Sequence, residues 1–292
     1  MPSSKKALAG VAVSAVVVLG GVACSSGNGH STSAAGAQSP VSVPASSPPA
    51  ATTGATGTPA TQSRSAVLCN SQRQAVDGGM YAVQNNEYDS GASECLAAGA
   101  SGAFTVTKSA IANSGSGTPG GYPSIYRGCH WGACTADSGL PVPASRLLSP
   151  GAVTTTWVTA QPGTGTYDVA YDIWFNKTPT TSGQPDGAEL MIWLNHSGPV
   201  EPYGSQVSTA SIGGRSYQVW FGNEGWNTVS YSMVTGTTSV QDLDIGKFVA
   251  DAVRRGYIQK SWYLIDVEAG FELWQDGAGL ATNSFAVNVS RG

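Results

Sequence analysis

From Ala66 onward, apolar and polar residues alternate in short runs rich in Val, Thr, Tyr, Trp and Phe, separated by Gly, Asn, Asp and Pro. A period of two sends successive side chains to opposite faces of a strand, so this pattern predicts an all-β domain. The predicted strands include Tyr81–Val83, Phe104–Thr107, Ala152–Val158, Tyr167–Phe175 and Glu189–Leu194, then Tyr217–Phe221, Thr228–Met233, Trp262–Val267 and Ser284–Val289. Strands this short and numerous point to a two-sheet sandwich or jelly roll. One stretch departs from the pattern. After Asp242-Leu243-Asp244, the residues Ile245, Phe248, Val249, Ala252 and Val253 recur at helical spacing and Gly256 follows, which predicts one amphipathic α-helix.

The first 65 residues lack such periodicity. Lys5 and Lys6 precede an apolar run from Ala7 to Ala23 ending in Gly21-Val22-Ala23, which reads as a signal peptide over residues 1–23; the run is short for a membrane span. Residues 24–65 are dominated by Ser, Thr, Ala, Gly and Pro and cannot bury enough apolar surface to fold, so they read as a disordered linker. Residues 66–292 then form one globular domain, since about 225 residues is an ordinary size for a single β-sandwich.

The five cysteines fall as Cys24, then Cys69 with Cys95, then Cys129 with Cys134. The last four read as two disulfides of an oxidising compartment. Cys24 stands directly after the small residues that end the apolar run, and two processing outcomes compete there: cleavage after Ala23, or lipid attachment to Cys24 with anchoring to a membrane; unlipidated, this odd cysteine is otherwise read as leaving with the signal. Gly21 occupies a position where a lipoprotein site usually has a bulky apolar residue. Net charge is -4 with only 11% charged residues and no basic run beyond the N-terminus, which argues against nucleic acid as a partner. Ser, Thr, Asn and Gly supply the polarity instead, as suits a monomeric extracellular protein with a hydroxyl-rich ligand.

Candidate chemistry lies on three segments. In Glu189-Leu190-Met191-Ile192-Trp193-Leu194, the residues Leu190, Ile192 and Leu194 make a core face, leaving Glu189, Met191 and Trp193 on the other. Asp172 and Trp174 likewise oppose Tyr171, Ile173 and Phe175. In Ala269-Gly270-Phe271-Glu272-Leu273-Trp274, Glu272 and Trp274 share a face, and Glu268 has the same parity. Each acid alone is an ordinary surface residue. Acids repeatedly paired with aromatics on a β framework are what glycoside hydrolysis needs, one carboxyl protonating the leaving oxygen and another attacking the sugar or activating water.

Several segments, in their order and spacing, carry a resemblance to a known family. They are Tyr81-Ala82-Val83-Gln84-Asn85-Asn86, Tyr122-Pro123-Ser124-Ile125-Tyr126-Arg127-Gly128-Cys129-His130-Trp131-Gly132, Val169-Ala170-Tyr171-Asp172-Ile173-Trp174-Phe175, the Glu189 strand, and Gly256-Tyr257-Ile258 through Trp262-Tyr263-Leu264 to Gly270-Phe271-Glu272. Over nearly all of Cys69 to Val289 the chain resembles glycoside hydrolase family 12, the former cellulase family H, and its cysteines agree with the disulfides of the bacterial branch.

The resemblance implies a β-jelly roll with one helix and an open cleft for a β-1,4-linked glucan. It implies Glu189 as nucleophile and Glu272 as acid/base of a retaining secreted endo-β-1,4-glucanase, with Asp172 hydrogen-bonding near the nucleophile. A retaining pair stands about 5–5.5 Å apart. The residues expected at the sugar are Asn86, Tyr88, Trp131, Met191, Trp193, Glu268 and Trp274. Two depart from the family: Glu87-Tyr88-Asp89 stands where Trp followed by Gly is usual, and Glu268 where Gln is common.

The main rival is a non-catalytic glucan-binding jelly roll, which needs no carboxylate pair. A serine hydrolase lacks its Gly-x-Ser-x-Gly elbow, and His130 and His196 read as structural or cleft-rim residues. No His/Cys/Asp group has ligand spacing along the chain, so neither metal nor cofactor is expected.

Overall fold

The structure, a computed structural model, describes residues 65–88 and 91–290. The expected signal peptide, Cys24 and nearly all of the expected linker lie outside the described residues, as does Asp89.

Two β-sheets enclose the core. In one, six strands lie in the spatial order Ala66–Cys69, Glu94–Ala98, Phe104–Ser109, Ala281–Val289, Val153–Ala160, Ser239–Asp244. The main path of the larger sheet is Ser205–Ile212, Arg215–Asn223, Asn227–Met233, Ala188–Ser197, Thr166–Asn176, Tyr263–Gly270, Ser124–His130, Tyr81–Gln84, Arg73–Val76. Described neighbours pair antiparallel, except that Ala188–Ser197 and Asn227–Met233 run parallel.

The expected alternation is present. Leu190, Ile192 and Leu194 of one strand and Tyr171, Ile173 and Phe175 of its neighbour enter the core between the sheets. There they meet the smaller sheet, with Trp157 packing edge-on to Tyr171 at 5.1 Å and Phe104 edge-on to Phe271 at 5.9 Å. Each such fully buried side chain contributes roughly 1.5–3 kcal/mol of transfer free energy. The intervening residues Ala170, Met191 and Trp193 join Val200 and Trp274 in a separate apolar cluster. The sheet thus carries apolar side chains on both faces, and Thr166–Asn176 at its centre is buried along its whole length.

The helix forms at Ile245–Arg255. Asp244 Oδ1 accepts from the Gly246 amide at 3.0 Å, and Gly256 stops the helix at φ 81°, a left-handed conformation favourable to glycine. Phe248 packs against Tyr217 and Tyr231. A second helix, Ala144–Leu147, spans four residues and buries Ala144 and Leu147; one turn is too short to show a period in the sequence. Cys69–Cys95 and Cys129–Cys134 are both bonded.

The sequence pattern misses several strands. Ser205–Ile212, of sequence SQVSTASI, is an edge strand whose residues are mostly exposed, so no apolar alternation marks it. Ser124–His130 is nearly continuously buried and offers no alternation either.

Candidate active site

The face of the larger sheet turned from the core floors a cleft of about 1030 Å3. Strand register builds it. Trp174 lies opposite Glu189 on one side and Asp266 on the other, while Asp172 lies between Met191 and Glu268. Asp172, Glu189, Met191 and Trp193 line the cleft from the strands; Asn86, Tyr88, Trp131, Glu272 and Trp274 line it from its edges. Nine of the ten residues expected in the site therefore converge. Tyr88 and Trp131 are 49% and 43% exposed, presenting open rings on which a sugar can stack.

Glu189 is held on its strand by two donors to one oxygen. Thr228 Oγ1 donates to Oε2 at 2.8 Å and Trp226 Nε1 at 3.3 Å. Its pKa is raised, by burial first and also by the charge of Glu224, and these bonds together with one from Asp172 offset part of the rise. Asp172 is driven well above the carboxylate range, by burial first and by the charge of Glu189 next. The bond between them favours the protonated form of Asp172 and the charged form of Glu189. No lysine or arginine is among the described residues lining the cleft, so no basic side chain there offsets the repulsion among the acids.

Glu272 is set by a break in its strand. The sequence treats Glu268 to Trp274 as one extended segment, whereas the structure divides it into Tyr263–Gly270 and Leu273–Gln275. At Gly270 a Cβ would stand 2.5 Å from the Pro123 carbonyl, so only glycine permits this close approach. Phe271 then turns into the core and Glu272 into the cleft.

Asp168 fixes that turn. Its Oδ1 accepts from the Glu272 amide at 3.0 Å, and its own amide donates to the Glu272 carbonyl at 3.1 Å. Burial raises Glu272 well above a glutamate's usual pKa, and the charge and hydrogen bonding of Asp168 raise it further. Asp168 itself is pushed up to about 7, chiefly by burial, with the Glu272 contacts opposing. The surroundings of Glu272 therefore favour its protonated form, while Glu189 receives the donors Thr228 and Trp226, which favour its charged form.

Glu268 departs from expectation. Its strand face is the cleft face, as parity requires, but the carboxylate is fully buried and does not line the cleft. Gln84 Nε2 and Ser124 Oγ donate to Oε1 at 2.6 and 2.5 Å, and His130 Nδ1 lies 3.0 Å from Oε2. These three partners take the place of the sugar contact expected for it.

Asp168, Thr228, Trp226 and Glu224, which lines the cleft with its Oε1 3.2 Å from Thr228 Oγ1, escape the sequence reading. Asp168 had a signal: it shares the parity of Asp172 along Tyr167–Phe175. Thr228 had none, because it meets Glu189 only through the parallel pairing of strands distant in sequence.

Residues 79–290 match the family described as Glycosyl hydrolase family 12. The chain is 39% identical over 129 residues to a protein of Mycobacterium tuberculosis named "Probable cellulase Cel12b", covering 44% of this chain and 85% of that one. Among solved structures, a metagenome-derived glycoside hydrolase family 12 endoglucanase superposes with a TM-score of 0.74 at 39% identity, covering 77% of this chain and 98% of its own. Endoglucanase cel12A from Rhodothermus marinus gives 0.73 at 43% identity, with 77% and 99% covered. A family match over most of the chain, on a jelly roll whose cleft brings together the acids expected of that family, means that this protein belongs to glycosyl hydrolase family 12.

Proposed function

We infer that the protein is a retaining endo-β-1,4-glucanase with Glu189 as nucleophile and Glu272 as acid/base. The carrying observation is the contrast between two acids in one cleft: Glu189 receives hydrogen bonds from Thr228 and Trp226, whereas Glu272 is held beside Asp168 with its pKa driven up. In this reading Glu189 attacks the anomeric carbon while Glu272 passes its proton to the glycosidic oxygen. Glu272, now ionised, then takes a proton from water that hydrolyses the glycosyl-enzyme bond. Asp172 donates to Glu189 and releases it as the covalent bond forms. Export rests on the N-terminal pattern and lipid on Cys24 is its optional addition; the mass of the mature N-terminus tests both.

The purified protein should cleave at least one of carboxymethylcellulose, lichenan and xyloglucan, leave xylan intact, and release the β-anomer first by NMR. An α-anomer appearing first would require water between the carboxyls and an inverting mechanism. Binding to these glucans without any cleavage would establish the non-catalytic reading instead.

The Asp168 contact gives a pH prediction with a definite sign. Asp168→Asn keeps an oxygen for the Glu272 amide but removes the charge that raises Glu272. The alkaline limb of kcat/KM, which reports loss of the acid's proton, should move to lower pH by about one unit. An unchanged or more alkaline limb would show that Asp168 only positions the backbone.

A further inference from the structure

Beside the catalytic cleft, the strands Tyr263–Gly270 and Ser124–His130 bring together three groups for which the proposed hydrolysis has no use. Asp266 and Glu268 project from one face of the first strand, and Gly128 pairs opposite Asp266. A Cβ at Gly128 would stand 2.7 Å from Asp266 Oδ1, so the absence of a side chain there makes room for the carboxylate. His130, two residues further along, reaches back to place Nδ1 3.0 Å from Glu268 Oε2. One ligand-capable atom of each residue lies within 4.8 Å of the others.

Asp266 supplies the independent observation. Its carboxylate is fully buried, and neither oxygen makes a hydrogen bond of ordinary geometry; the amide of the next residue, Val267, is the one donor acting on it. Glu268 Oε1 is saturated by Gln84 and Ser124, leaving Oε2 toward the cluster. Two buried carboxylates beside one imidazole leave negative charge uncompensated, which a buried site does not tolerate without a counter-charge or protonation.

We propose that His130, Asp266 and Glu268 form a binding site for one divalent transition cation, Mn2+ or Zn2+. One imidazole nitrogen with two carboxylate oxygens is a donor set for these ions, whereas an all-oxygen set would favour Mg2+ or Ca2+. Ligands about 2.1 Å from an ion are separated by about 3.0 Å in octahedral and about 3.4 Å in tetrahedral geometry, so the 3.0 Å between His130 and Glu268 matches the octahedral Mn2+ spacing and is a few tenths short for tetrahedral Zn2+. His130 lines the cleft and gives the ion its access. The bound ion would pin the corner that carries Trp131, whose ring packs 4.7 Å from His130 and which the Cys129–Cys134 disulfide closes. Its role is to hold a wall of the cleft, apart from Glu189 and Glu272.

The test is metal binding, which does not depend on the glucanase reading. Untagged full-length protein, stripped with chelator and titrated with MnCl2 or ZnCl2, should bind one ion per chain by calorimetry and elemental analysis. Asp266→Asn and Glu268→Gln should each weaken binding at least tenfold. No binding by the native chain, or unaltered binding by both variants, would overturn the site. Should neither variant fold, Mn2+ added to the native protein should selectively broaden the NMR signals of His130 and Gly128. Broadening centred elsewhere would refute the assignment.

Discussion

Glu189→Gln should abolish glucan hydrolysis, lowering kcat by on the order of 10^4-fold or more, while the protein still folds and binds glucan. The amide retains an oxygen that can accept from Thr228 and Trp226, so the strand and its neighbours have little reason to move. What disappears is the negative oxygen that attacks the anomeric carbon, and a neutral amide cannot replace it. Asp172, which gives its hydrogen bond to that carboxylate, would face a weaker acceptor and remain protonated. Unchanged circular dichroism with near-normal calorimetric binding of a cello-oligosaccharide, alongside lost turnover, is the expected pattern. Hydrolysis at near-native rate would transfer the nucleophile's role to another acid.

Glu272→Ala should lower kcat on natural glucans by about 10^2–10^4-fold, the range supplied by a positioned general acid. An aryl glycoside with a good leaving group needs no proton, so its first step should persist and the glycosyl-enzyme should accumulate. Azide fits the space left by the carboxyl and attacks without base assistance, and it should restore turnover with a β-glycosyl azide as product. The structure separates this role from Glu268, which lies buried with Gln84, Ser124 and His130 and does not reach the cleft. Azide should therefore have no effect on Glu268→Gln. Rescue of that variant, with Glu272→Ala still active on glucan, would exchange the two assignments.

Period-two alternation was enough to place Glu189, Met191 and Trp193 opposite Leu190, Ile192 and Leu194, and Asp172 and Trp174 opposite Tyr171, Ile173 and Phe175. The helix at Ile245–Arg255 was equally legible from its apolar spacing, its Asp244 cap and its Gly256 stop. These features are local, because side-chain direction within one element follows from backbone geometry alone. Parity also placed Glu272 and Trp274 on the cleft side, although the segment breaks after Gly270, where the Pro123 carbonyl approaches closely. It succeeded for the face of Glu268 and yet misjudged its exposure, since His130 comes from elsewhere in the chain to cover it.

Residue pattern along the chain was enough for the all-β architecture, for the core face of the alternating strands, and for singling out Glu189, Glu272 and Asp172 as acids that meet in one cleft. What favours the protonated or the charged form of each acid comes from the folded surroundings. Thr228 reaches Glu189 through the pairing of strands far apart in the chain, Asp168 grips the Glu272 backbone, and His130 closes over Glu268 and Asp266. A carboxyl's charge state depends on burial and on neighbours within a few ångströms, and strand register brings those neighbours together across distances that spacing along a chain does not encode.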